Sequence, residues 1–304
     1  GLFCISVSAV QLAAIFYNGL LADVSSRDNV GFIGGLGVGV GYFGGIVSVL
    51  LGFVFLESKG HIYLFRVMGI LELGLVLPLM VVGKYKVTTS TKLTSNRILS
   101  RCFNIAKQAT GRLIENRDWL RFLIARFWYL WAVNAASAFA VLYGIGTVKL
   151  SEIQVQLVLL TGILSGIPMG ALWGRVVDRV GAFTVLKWNI LGWVFLLALA
   201  AAIPLLGLPK YFWWVVGVLS GTVMAGLYVS ERPFVLLMAP ERRLGEYFGM
   251  SSMVGRAAAI VGPLSWALIS VTMGLGQVAA ILWLLVCVTI AFTILSTLKV
   301  SLAD

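Results

Sequence analysis

Long runs without a charged residue follow one another along this chain, at residues 1–22, 29–56, 127–148, 153–174, 188–209 and 211–230. A bilayer core needs about 20 consecutive apolar residues per helix, so each run is long enough to cross one. Residues 61–83 form a further run that holds Arg66 and Glu72, and residues 247–300 suffice for two helices, broken at Met273-Gly-Leu-Gly-Gln277. The pattern predicts an all-α polytopic membrane protein with nine transmembrane helices. Three precede a long basic loop at residues 84–118, which marks the domain boundary, and six follow it in residues 119–304. The chain opens at Gly1 inside an apolar run with no basic flank, which reads as a fragment and not as a signal peptide.

Composition sharpens this picture. Hydrophobic residues make up 60% of the 304 and charged residues 12%, about half the charged share of a soluble domain. A water-soluble core of this size would leave too little polar surface to cover so much apolar side chain, so the bilayer is the solvent. The net charge of +11 is unevenly placed. Alternate loops hold Arg27, the basic residues from Lys84 to Arg117 with Arg121, then Arg175, Arg179 and Lys187, then Arg232, Arg242 and Arg243, and Lys299. The opposite loops hold only Lys59, Lys149 and Lys210. Short cytoplasmic loops are enriched in Lys and Arg, so the charge reports topology and calls for no nucleic-acid partner. Within the long loop, Ile98, Leu99, Cys102, Phe103 and Ala106 recur at helical spacing, as in a helix lying at the headgroup level. A solvated basic linker fits the same residues equally well.

Several chemistries are excluded. Cys4, Cys102 and Cys287 lie far apart, and His61 is the sole histidine, so neither a CxxC pair nor a multi-histidine metal site is available. No metal and no cofactor are expected. No GxxxxGK[ST], HExxH or GxSxG motif occurs, which leaves no nucleotide loop or hydrolase site and no catalytic residue to name. Gly39-Val-Gly41-Tyr-Phe-Gly44 matches GxGxxG but lies mid-membrane, where no strand-to-helix turn exists. Its glycines read instead as packing ladders, Gly31, Gly35 and Gly39 on one and Gly37, Gly41 and Gly45 on the other, which let helix backbones approach closely.

Ionisable groups at membrane depth are costly and are functional candidates for that reason. Arg256 lies about 15 Å into its helix at the α-helical rise, at the depth where transporters hold substrate, and a guanidinium suits a carboxylate. A structural ion pair is the competing role. Glu72 sits mid-span as a possible proton-coupling group or a structural contact, while Arg126, near the basic loop, is expected to snorkel to the interface. His61 lies in an outer loop and receives no role.

Gly170-Ala-Leu-Trp-Gly174-Arg175-Val-Val-Asp178-Arg179-Val-Gly181 joins two spans by a short turn in which acid and base stand side by side. Such a turn can pair with a neighbouring helix end and lock one conformation. Its Gly-x-x-x-Asp-Arg-x-Gly spacing resembles the signature loop of the major facilitator superfamily, in its second-half copy. Residues 16–23, Gly41-Tyr-Phe-Gly44-Gly45, Leu120-Arg121-Phe-Leu, Tyr247-Phe-Gly249 with Gly255-Arg256, and Gly262-Pro263-Leu264 resemble the autophagy-related vacuolar effluxer branch of that superfamily. The resemblance implies family helices 4 to 12, with helices 1 to 3 of the same protein as missing partners. It implies efflux of small solutes, amino acids in the fungal vacuolar members. It also implies a central cavity lined by Tyr17, Asn18, Trp131, Asn134, Ser137 and Tyr228, and a gate pair at Glu231-Arg232. The sequence departs at Tyr129-Leu-Trp131-Ala-Val-Asn134, where many relatives resemble Tyr-Asn-Asp-Gly-Val, so Trp131 stands where an acid is often found. The expected function is secondary transport of a small polar solute; a non-transporting scaffold or receptor with the same fold is the alternative.

Overall fold

A computed structural model describes residue 21 and residues 25–26, 29–82, 116–240 and 243–298. Tyr17, Asn18, the first predicted span and the predicted interfacial helix of the basic loop lie outside the described residues. Among those described, every long element is an α-helix, as expected where lipid offers no partner to an unpaired backbone group. The helices are α1 (Val30–Val82), α2 (Arg117–Gly146), α3 (Glu152–Val180), α4 (Ala182–Leu205), α5 (Phe212–Met238), α6 (Leu244–Ala267) and α7 (Gly276–Ser296). A π-helical turn, Leu268–Thr272, extends α6.

Among the described residues, seven stretches are long and apolar enough to cross a membrane: Val30–Gly52 within α1, α2, α3, α4, α5, α6 with its π-turn, and α7. The expected nine are therefore not all seen. One lies outside the described residues, and residues 61–82, although helical, carry exposed Arg66 and Glu72. Within α1 the helical geometry breaks at Gly60, with φ 77° and ψ 172°. The glycine pair of the predicted break before α7 supplies the turn: Gly274 and Gly276 adopt φ of 66° and 80°.

Local signals explain the helix starts. Asn116 accepts a hydrogen bond from the Trp119 amide at 3.0 Å and caps α2, and Ser151 with Gln154 forms a reciprocal capping box at α3. Pro168, Pro204, Pro233 and Pro263 all lie inside helices, which neighbouring transmembrane helices tolerate.

The described residues fall into two compact units, residues up to Tyr42 together with those from Leu113 on, and Phe43–Arg112. One division between these units falls inside α1, between Tyr42 and Phe43, where the sequence suggests no boundary. In the larger unit α2 packs along α6 and α7, α5 along α3 and α4, and α4 along α7. Trp119, Phe122, Tyr129, Tyr143 and Phe234 are fully buried between them. Glycines set the closest approaches, as where Gly162 faces the backbone of Gly217 and Gly221. At one end of this unit Lys210 donates to the Lys149 carbonyl at 2.9 Å, and Thr147 donates to Gln277 at 2.7 Å. The three turns poor in basic residues therefore meet at a common end, as the charge pattern predicts.

Candidate functional site

Two cavities follow one another between the helices of the larger unit. The one toward the basic end has a volume of about 260 Å³ and a polar wall that includes Arg126, Asn134, Tyr228, Glu231, Arg232 and Arg256. Five of these were named from the sequence as cavity or gate residues, and the structure brings them together from α2, α5 and α6. The charges within this wall are not equivalent. Arg126 Nε donates to Glu231 Oε1 at 2.9 Å and its Nη2 to the same oxygen at 2.5 Å, while Nη1 donates to the Ser251 carbonyl. The Tyr129 hydroxyl, fully buried, donates to Glu231 Oε2 at 2.8 Å. Both carboxylate oxygens are engaged, and the side chains of Arg126 and Glu231 are only 11% and 13% exposed.

This arrangement corrects one sequence expectation. Arg126 does not snorkel: its guanidinium is turned inward and neutralised by Glu231. Glu231 thereby joins α5 to α2 across helices. An isolated buried carboxylate or guanidinium is unaffordable in lipid, and pairing across α2 and α5 removes both costs together. Sequence reasoning missed Tyr129 and Ser251 as members of this network. The signal was available in part, because Tyr129 lies within the same turn of α2 as Arg126, on one face.

Arg256 differs. It is exposed to the cavity and makes no ion pair or hydrogen bond among the described residues, with the Arg126 guanidinium as its charged neighbour. Asn134 lies half-buried beside it, its Nδ2 donating to the Leu130 carbonyl at 2.7 Å. Tyr228 is exposed in the same wall. Trp131 lines neither cavity: it stacks on Trp128, with ring planes 6° apart, and donates to Ser265 Oγ at 2.7 Å between α2 and α6. Ser137 belongs to the second cavity, toward the opposite end. Glu72 is exposed on α1, in the smaller unit.

The signature turn is built differently from an ion pair. Asp178, near the end of α3, accepts from the amides of Gly31 and Phe32, Oδ1 at 2.7 Å and Oδ2 at 2.8 Å. These are first-turn N–H groups of α1 that have no partner within their own helix, and the helix dipole favours an anion there. Arg175 lies 5.3 Å from the centre of the Phe32 ring. Behind this contact the first glycine ladder meets α3. A Cβ on Gly31 would come within 2.5 Å of the Gly174 carbonyl, one on Gly35 would strike the Gly170 carbonyl, and Gly39 faces Ile167. Gly41 and Gly45, on the second ladder, have open space among the described residues, and Gly37 is half-buried. Gly181 ends α3 with φ 89° and ψ 147°, a conformation that essentially only glycine adopts. Arg179 beside it is exposed. Among the described residues no cluster of His, Cys, Asp and Glu is placed to hold a metal.

Comparison with known proteins gives these features a setting. Residues 3–263 match the family model of the Major Facilitator Superfamily. An uncharacterised MFS-type transporter of Bacillus subtilis, YxiO, is 22% identical over 277 residues, covering 88% of this chain and 63% of its own length. Autophagy-related protein 22-2 of Aspergillus oryzae is 25% identical over 266 residues, covering 75% of this chain and 43% of its own. The chain thus spans less than two thirds of the length of these relatives. Its fold is similar to a bacterial homologue of the iron transporter ferroportin in an outward-facing state, with a TM-score of 0.69, 16% identity, and coverage of 94% of this chain and 68% of that one. With a family match over most of its residues and a row of apolar helices, the chain is an integral multi-pass membrane protein that belongs to the major facilitator superfamily.

Proposed function

We propose that the protein is a secondary transporter that moves a small solute bearing an anionic group across a membrane by alternating access. The observation that carries this reading is the asymmetry of the two arginines. Arg126 is neutralised by Glu231, whereas Arg256, in the wall of the same polar cavity, makes no ion pair among the described residues. A membrane-embedded cation without a partner is costly, and a carboxylate arriving in the cavity would remove that cost through paired charge-assisted hydrogen bonds. The solute class to try first is amino acids, whose carboxylate suits Arg256, since the relatives include an autophagy-related protein 22.

The contact between Asp178 and the start of α1 serves, in this reading, as the basic-side latch. With Asp178 on the Gly31 and Phe32 amides and the glycine ladder seated on α3, that end is closed. Opening it requires the carboxylate to leave the helix terminus and the two backbones to separate. Counterflow of labelled amino acids into proteoliposomes holding the full-length protein tests the reading. Wild type should exchange them, and Arg256→Gln, inserted at equal level, should lose exchange at least tenfold. Equal exchange by the two proteins would overturn the role of Arg256.

A further inference from the structure

We infer, on the premise that Arg256 receives the anionic head, that the solute is an amphipathic organic anion. Its extended aryl or branched-alkyl body occupies the second cavity. That cavity has a volume of about 330 Å³, at the lower end of the ~300–1,000 Å³ typical of small-molecule sites. Tyr42, Phe139, Trp193, Trp213, Met224 and Trp266 dominate its wall, and no charged side chain lines it. Of the four hydroxyl-bearing residues in its wall, two are committed: Ser220 donates to the Gly217 carbonyl at 2.7 Å and Tyr143 to the Ala200 carbonyl at 3.0 Å. A second polar head would find few partners here, whereas an apolar body loses nothing on entering. The indole N–H of Trp193 is buried without a partner among the described residues, and an aromatic ring face is a weak acceptor for such a group.

The two cavities lie on the same helices. On α2, Asn134 lines the polar one and Ser137 the apolar one; on α5, Tyr228 and Met224 divide in the same way. Each crossing is about one helical turn, so the polar and apolar walls adjoin. Arg256 stands level with Leu130, since a Cβ on neighbouring Gly255 would lie 3.3 Å from Leu130 Cδ1. From Leu130 to Ser137 along α2 is about 10 Å. A carboxylate held at Arg256 therefore places an apolar group in the second cavity only if a short spacer joins them. Tyr42, whose ring lies against Gly166 of α3, borders this passage.

The test uses the full-length protein in detergent and three probes: acetate as the head alone, 4-phenylbutyrate as head and body, and benzyl alcohol as an uncharged body. Dissociation constants are measured by titration calorimetry. The inference expects 4-phenylbutyrate to bind about tenfold to a hundredfold tighter than acetate, the range for burying one aromatic side chain. Arg256→Gln should weaken both anions and leave benzyl alcohol as it was. Ala140→Phe, which fills the apolar cavity, should bring the ratio of the two anion constants toward one. In wild type, 4-(4-bromophenyl)butyrate should quench tryptophan emission saturably, and Trp193→Phe should reduce that quench, a readout that does not depend on the filled variant folding. If 4-phenylbutyrate binds within about threefold of acetate while both depend on Arg256, the amphipathic class is overturned and the anion site stands. If neither anion depends on Arg256, the underlying reading falls first.

Discussion

Removing the Glu231 carboxylate is the perturbation whose cost follows most directly from the geometry. In Glu231→Ala, Arg126 keeps its bond to the Ser251 carbonyl but its Nε and Nη2 lose their acceptor Oε1, and the buried Tyr129 hydroxyl loses its acceptor. Breaking a buried pair by removing one partner costs about 3–5 kcal/mol, because the remaining charge is stranded. The adjoining cavity lets some water reach Arg126, so the lower end, about 3 kcal/mol, is expected. At about 1–2 °C per kcal/mol for a protein of more than 300 residues, from the per-residue unfolding entropy, the melting temperature of the full-length protein in detergent should fall by roughly 3–6 °C. The converse change, Arg126→Leu, strands the carboxylate and should cost a similar amount. The double variant Arg126→Leu/Glu231→Leu should recover much of the loss, since a well-packed apolar pair is often neutral relative to a buried ion pair. Single variants that melt within about 2 °C of wild type, or a double variant whose loss is the sum of the two, would refute the reasoning.

The latch predicts that Asp178→Ala, which removes two charge-assisted hydrogen bonds worth about 1.5–3 kcal/mol each, shifts the population toward an open basic side. Spin labels at exposed positions 29 and 179 should then show longer distances, and an unchanged distribution would remove the latch. Gly35→Leu should separate α1 from α3 more severely, because its Cβ has no room beside the Gly170 carbonyl; wild-type melting and labelling distances in that variant would contradict the close approach. Gly181→Ala must force a glycine-only conformation and should cost about 1–3 kcal/mol, read as a lower melting temperature with transport retained at low temperature. Cysteines placed at Lys149 and Lys210 should react with impermeant reagents from one side of the membrane and a cysteine at Arg243 only from the other. Reaction of all three from one side would overturn the topology.

What the sequence made legible was whatever depends on one helix at a time. Charge-free runs located the spans because a bilayer accepts little else, and Met273-Gly-Leu-Gly-Gln277 located the last turn through glycines that the backbone needs there. Asn134, Tyr228, Glu231, Arg232 and Arg256 could be named singly, since a polar side chain within an apolar run is conspicuous. Their partners could not. The pairing of Arg126 with Glu231 crosses more than a hundred positions and depends on how α2 lies against α5, which no periodicity within either helix encodes. The same holds for Asp178, whose ligand is the backbone of residues far upstream. Backbone amides look alike in every sequence, so nothing in Gly31 or Phe32 announces that they receive a carboxylate. Trp131 stands apart for the opposite reason: resemblance placed it in a cavity, but it stacks on Trp128 of its own helix and donates to Ser265 of α6.

The role of Arg256 is tested most directly by exchanging its charge in place. In a full-length background whose other cysteines have been replaced, Arg256→Cys should be inserted but inactive in counterflow. Modification with a cationic aminoethyl thiosulfonate should restore part of the exchange, and an anionic sulfonatoethyl reagent should restore none. Recovery with either reagent alike, or activity in the unmodified variant, would contradict an anion held by the positive charge at this position.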